Sequence, residues 1–265
     1  MAVKLIAVDM DGTFLYSRND YNRERFNDLY QQMKAQGVYF VVASGNQYYQ
    51  LRSFFPEIAH EISFVAENGA YVVHQNQELF CGEWSLEDLH RILDVVSSYN
   101  VDTFIVCGRN SAYALEMISD EALDFASIYY HRLQKVKDFY HLDDTIFKIA
   151  LNFDVTDVEP FIAEINASMS DVVTAVSSGH GSVDLIIPGN HKASGIKRLQ
   201  ELLGISNHET AAFGDGGNDL EMLKHVEYGY AMANASDAVK QAAKYHTDSN
   251  DDEGVLNAID YLLTV

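Results

Sequence analysis

Apolar residues in this chain fall into short unbroken runs that alternate with longer amphipathic stretches. Residues 3 to 8, "VKLIAV", and 38 to 43, "VYFVVA", read as buried strands, because short apolar runs with no polar face suit a sheet covered on both sides. Between them Phe26, Leu29, Tyr30 and Met33 recur at helical spacing, and Gly37 stands where a helix would be capped. This β-α-β unit predicts a parallel sheet. A further helix should end before Pro56, "ISFVAENGAYVV" supplies a third core strand, and Asn68-Gly69 turns the chain into a hairpin.

The texture changes at residue 84. Ser85 and Asp88 form a capping box for a helix presenting Leu86, Leu89, Leu93 and Val96. From there to about residue 187 the pattern predicts a strand at "TFIVC", a helix around 120 to 130, a strand at "IFKIALNF" and a helix from Pro160 to Met169. Strands at 172 to 178 and 183 to 187 follow, and the "GHG" between them signals an antiparallel hairpin. The parallel-sheet texture then returns, with a helix from Lys192 carrying Ile196, Leu199, Leu202 and Leu203 and a strand "TAAFG" at 210 to 214. After these come a helix from Asp219, a strand "YGYAM" and a last helix burying Val255, Leu256, Ile259 and Leu262. The acidic run Asp248 to Glu253 reads as a solvated loop or helix start. The expected architecture is an α/β, doubly wound parallel-sheet core of Rossmann type built from residues 1–83 and 188–265, with an α+β domain, residues 84–187, inserted in it.

Charge narrows the function. The chain has 39 Asp and Glu against 18 Lys and Arg, a formal net charge of -21, and such a surface repels nucleic acid and anionic membrane. An acidic protein that binds a phosphate must neutralise it locally, with a metal ion, a lysine or helix N-termini. Cys81 and Cys107 lack metal or redox spacing and read as buried apolar residues of a reduced compartment. The first apolar run is too short for a signal peptide or a membrane span, so a cytoplasmic location is expected.

Ligands of an open parallel sheet gather outside the carboxyl ends of its strands. Four polar clusters lie at such ends or at helix starts: "DMDGT" at 9 to 13, "SGN" at 44 to 46, "GNHKASG" at 189 to 195 and "GDGGND" at 214 to 219. Asp9, Asp11 and Asp215 are hard oxygen ligands suited to Mg²⁺, which would relieve the repulsion between two carboxylates one residue apart. Asp9 is the natural nucleophile toward phosphorus, and Asp11 the acid for the leaving alcohol and the base for the attacking water. Ser44, Lys192 and the backbone N–H groups of residues 10 to 12 would hold the phosphoryl charge. Gly12 and Gly45 allow close approach, Thr13 offers a hydroxyl and Asn46 an amide, while Asn218 and Asp219 would orient Lys192 or water on the metal. Asn68, beside Glu67 on a core loop, and His180 and Ser182 at the inserted domain's hairpin tip complete the candidate substrate contacts, each with a plain turn as its alternative. Asp184 faces either the cleft or solvent.

Taken in order, "DMDGT", "VVASG", the helix-opening Lys192 and "GDGGND" resemble the haloacid dehalogenase-like hydrolase superfamily, specifically its Cof-type phosphatases. The stretches "VVASGNQYYQL" and "ISFVAENGA" are similar in detail to the bacterial sugar phosphatases of that group. The resemblance implies an aspartyl-phosphate intermediate on Asp9 and Mg²⁺ held by the Asp9 and Asp215 side chains and the Asp11 backbone carbonyl. It also implies phosphate contacts from Ser44 and Lys192, and an inserted cap that selects the leaving group. The presence of Asp11 disfavours dehalogenation. Many Cof-type members carry arginine where this chain has Asn46, and the loss of that fixed cation fits the sugar phosphatases. The expected activity is therefore Mg²⁺-dependent hydrolysis of small phosphorylated sugars, with the number of associating chains left open. The alternatives are a phosphatase of nucleotides or of flavin or pyridoxal phosphates, a sugar-phosphate mutase, and a non-catalytic module that binds a phospho-metabolite.

Overall fold

A computed structural model describes residues 3–179 and 181–264. The first five strands are β1 (Leu5–Val8), β2 (Tyr39–Ala43), β3 (Ser63–Ala66), β4 (Tyr71–His74) and β5 (Gln77–Cys81). The inserted segment holds β6 (Thr103–Gly108), β7 (Ala112–Leu115), β8 (Leu133–Val136), β9 (Ile146–Asn152), β10 (Thr174–Gly179) and β11 (Ser182–Ile186). The chain then returns with β12 (Thr210–Gly214), β13 (Tyr228–Ala231) and β14 (Tyr245–His246).

Two sheets result. The core sheet runs β14-β13-β12-β1-β2-β3-β4-β5 and the cap sheet β10-β11-β9-β6-β7-β8. Parallel pairing links β3 through β2, β1 and β12 to β13 and β14, and β4 and β5 are antiparallel additions at the edge. Chain order reverses between β1 and its two neighbours β2 and β12, which opens a crevice at their carboxyl ends. Asp9, Ser44 and Asp215 each follow directly on one of these three strands.

Elements that bury a whole stripe or face are where periodicity predicts them. Phe26, Leu29, Tyr30 and Met33 are buried on the helix Arg23–Gln36, which ends at Gly37 in the left-handed conformation. Corrections fall where an element is half exposed. Leu202 is 52% and Leu86 68% exposed, so neither belongs to the apolar face of its helix. The helix expected from Pro160 begins earlier and spans Val155–Ser168, with Asp154 capping its start and Pro160 inside the second turn. Strands β5 and β8 do not read as strands in the sequence, since every residue of each is exposed or partly so and neither buries a face.

Helix Lys192–Leu203 crosses β3 at close range. A Cβ at Gly195 would strike Val65 Cγ1 on that strand, so Gly195→Ala should destabilise the protein by about 1–3 kcal/mol through overpacking. Denaturant midpoints of the two proteins check this. An unchanged midpoint would mean that the helix can lift away freely. Among the described residues no helix is long and apolar enough to cross a membrane.

Candidate active site

The run after β1 cannot continue as a strand. Asp11 leaves helical geometry and Gly12 takes φ +72°, so the backbone folds back over Asp9. Gly12 is needed twice: that φ disfavours a side chain, and a Cβ there would lie 2.5 Å from Asp215 Oδ2. Its function in the site is to admit Asp215. Thr13 is likewise turned inward and donates its hydroxyl to Asp215 Oδ1 at 2.6 Å, holding that carboxylate where an open hydroxyl was expected.

Lys192 is the hub. Its side chain is fully buried, and its Nζ donates to Asp9 Oδ1 and to Asp219 Oδ1, both at 2.6 Å. His191 caps the helix that Lys192 opens, accepting the Ser194 N–H on its ring nitrogen while Ser194 Oγ accepts the His191 N–H. Asp219 Oδ2 accepts the backbone N–H groups of Asp215 and Gly216 at 3.0 and 2.9 Å. Burial works against the charge of Lys192, but the carboxylates of Asp219 and Asp9 outweigh it and hold the ammonium above its ordinary range.

The carboxylates show the opposite strain. Burial pushes Asp9 well up, and the lowering effect of Lys192 is opposed by Asp219 and Asp215. Asp215 rises to about 6, chiefly through burial. Asp11 is raised by burial and partly relieved by Asn46, whose Nδ2 donates to its Oδ2 at 2.6 Å. Three acids held short of easy ionisation, served by one lysine, form a donor set that a hard divalent cation would satisfy.

Oxygens of Asp9, Asp215 and Asp219 lie within 4.8 Å of one another. Both oxygens of Asp219 are already engaged, so it braces Lys192 and the 215–216 turn. Among the described residues no hydrogen bond reaches Oδ2 of Asp9 or of Asp215, which leaves one oxygen of Asp215 open to a cation and one of Asp9 free to act as a nucleophile.

Ser44 Oγ accepts the Asn46 N–H at 3.1 Å, which closes a tight loop at the end of β2. Asn218 Nδ2 donates to Asn68 Oδ1 at 3.0 Å, and Asn68 Nδ2 donates to Asp184 Oδ2 of the cap at 2.6 Å. Asp184 therefore faces the cleft. Ser182 instead accepts from Asn152 within the cap at 3.2 Å, and His180 lies outside the described residues. A cavity of about 130 Å³ lies between sheets, lined by Asn68, His191, Lys192 and Asn218 from the core and by Thr174 and Val176 from the cap.

Sequence reasoning passed over Lys148. This cap lysine, buried in β9, pairs with Glu67 Oε2 at 2.6 Å, donates to the Gly45 carbonyl at 2.6 Å and lies 3.9 Å from Asp184 Oδ1. Burial alone would lower it, yet Asp184 and Glu67 hold it charged. The one available signal was a lysine in the middle of an otherwise apolar strand. Cys81 and Cys107 are no candidates, because burial pushes both thiols up, Cys81 to about 12.

The family model for haloacid dehalogenase-like hydrolases matches residues 6–259. The chain belongs to this family. It is 51% identical over 263 residues to the Escherichia coli 5-amino-6-(5-phospho-D-ribitylamino)uracil phosphatase YbjI, covering 99% of this chain and 97% of that one. A Bacillus subtilis phosphatase with the same substrate in its name, YitU, is 27% identical over 271 residues, covering 95% of this chain and 94% of that one. Among solved structures, SMU.1108c of Streptococcus mutans superimposes with a TM-score of 0.95 at 36% identity, with both chains covered in full. With its fold and its buried aspartate cluster, this haloacid dehalogenase-like hydrolase is a phosphoric monoester hydrolase that uses a divalent cation.

Proposed function

We propose that the protein hydrolyses the terminal phosphate of a small phosphorylated polyol or sugar arm attached to a ring, of the 5-amino-6-(5-phospho-D-ribitylamino)uracil class. The whole-length similarity to two phosphatases named for that compound supports this substrate over a free sugar phosphate. The chemistry rests on one observation: Asp9 is held by Lys192 through one oxygen, and among the described residues no hydrogen bond reaches its other oxygen.

Asp9 Oδ2 attacks phosphorus, the bond from phosphorus to the ester oxygen breaks, and Asp11 passes its proton to that oxygen. Asp11 then takes a proton from water, the resulting oxygen attacks the same phosphorus, and Asp9 leaves as a carboxylate. The raised pKa of Asp11 suits a group that must first hold a proton. Lys192 has a third N–H beyond the two spent on Asp9 and Asp219, and with Ser44 and the N–H groups of residues 10 to 12 it steadies the phosphoryl oxygens. Asp9 and Asp215, with the Asp11 carbonyl, are the residues that would hold Mg²⁺, which would supply charge neutralisation at the phosphoryl oxygens. Asn218 keeps Asn68 in place, and Gly45 lets the cap approach, since a Cβ there would lie 3.1 Å from Asp184 Oδ2.

Phosphate release should be measured on the phosphoribitylaminouracil, a flavin phosphate, hexose phosphates and nucleoside monophosphates. The ribityl compound is expected to give the highest kcat/KM. A hexose phosphate in first place would restore the simple sugar-phosphatase reading, and isomerised product without free phosphate would indicate a mutase.

Binding of a cation should also show in stability. Mg²⁺ at a hundred times its Kd should stabilise the native state by about 2.7 kcal/mol, a rise in Tm of roughly 5–10 °C for a chain of this size. Asp215→Asn should abolish the response and, in EDTA, match or exceed the native Tm. A full Mg²⁺ response in that variant would remove Asp215 from the ligand set.

A further inference from the structure

Three buried charges connect cap to core outside the groups that the proposed reaction uses. Side chains of Lys148 and Glu67 are each 2% exposed and that of Asp184 7%. Such a cluster contributes little to net stability, because taking the charges out of water costs about as much as their attraction returns. Its geometry has a direction, however. Lys148 reaches from β9 to the carbonyl of Gly45, in the loop that also carries Ser44 and Asn46. That loop is tied to the next one by the Asn68 N–H donating to Ser44 O and the Glu67 N–H donating to Asn46 O, at 3.0 and 3.2 Å. Glu67 and Asn68 both have positive φ, 53° and 54°, a backbone disfavoured for glutamate though tolerated by asparagine. The far end of the loop is Asn46, whose amide grips Asp11.

We infer that Lys148 is a positioning residue that makes proton donation by Asp11 depend on cap closure. Closing the cap brings the ammonium onto the Gly45 carbonyl and the Glu67 carboxylate together. This locks the 44–46 loop against the 67–68 turn, and Asn46 then sets the direction of Asp11. With the cap open, the three charges return to water, the loop loses its clamp, and Asp11 is no longer aimed. The inference rests on the acid role of Asp11 given above.

Leaving-group dependence tests it. Substituted phenyl phosphates differ little in size but widely in how much the departing oxygen needs a proton, and kcat/KM covers the steps up to the first phosphoryl transfer. Lys148→Met should lower kcat/KM about threefold on 4-nitrophenyl phosphate and about 30-fold on unsubstituted phenyl phosphate, the pattern of lost general-acid catalysis. Asp11→Asn should steepen the dependence in the same sense. A uniform loss across the series in Lys148→Met, beside a steepened one in Asp11→Asn, would show a merely structural lysine and overturn the inference. No steepening in Asp11→Asn would overturn the acid role and the inference with it. If Lys148→Met does not fold with Glu67 left unpaired, the double variant Lys148→Met/Glu67→Gln removes both charges and reads the same slope.

Discussion

Asp9→Asn is expected to lower phosphate release by about four orders of magnitude or more, as loss of a covalent nucleophile does, while the fold stands. Its stability should move the other way. Burial raises the pKa of Asp9 above its unfolded value, so the ionised group costs stability at neutral pH, and that cost disappears as the pH falls through the folded pKa. Asparagine carries no such cost and can still accept from Lys192. In EDTA at neutral pH the variant should melt no lower than the native protein, and its advantage should shrink in acid. Activity assays and melting curves at several pH values check both halves. Substantial turnover in this variant would end the nucleophile assignment.

Lys192→Met is expected to fail in both respects. The methionine leaves Asp9 and Asp219 facing each other with no cation, and breaking a buried ion pair from one side costs about 3–5 kcal/mol. That is a large share of the 5–15 kcal/mol that typically holds a domain together, and roughly a 10 °C fall in Tm. Asp219 would also loosen its hold on the Asp215 and Gly216 N–H groups. Turnover should drop with it, because the phosphoryl oxygens lose their cation. Two neighbours in one hydrogen-bonded cluster thus respond with opposite signs, since one adds negative charge to a crowd of it and the other is its counterweight. A Tm within 2 °C of the native value, about 1 kcal/mol or less, would show that the cluster relaxes around the loss.

Much of this could be read in advance. Each strand end that lines the candidate site is a local event: an apolar run stops, and a carboxylate, hydroxyl or amide follows at once. The helix opened by Lys192 announced itself through a cation where the helix dipole disfavours one. Contacts across the cleft were illegible for a physical reason. Lys148 sits in "IFKIALNF" with apolar residues on both sides, and nothing nearby reveals that the face it occupies is covered by another domain. Thr13 looked available to substrate because a hydroxyl beside two aspartates carries no mark of the third, distant one that claims it. Half-exposed strands such as β8 lack the alternation that would expose them, since their pairing is decided by β7 alongside.

The core sheet places β12 beside β1, joining a segment made before the cap to one made after it. While the ribosome is still adding the cap, the nascent chain already displays Asp9 and Asp11 but has neither Lys192 nor Asp215 to complete them. The cap's strands and helices, all from one contiguous stretch, can assemble during that interval. The core must wait for its last strands, and long-range parallel pairing of this kind is slow. A chain folding in this order would complete its cap before it could cleave anything.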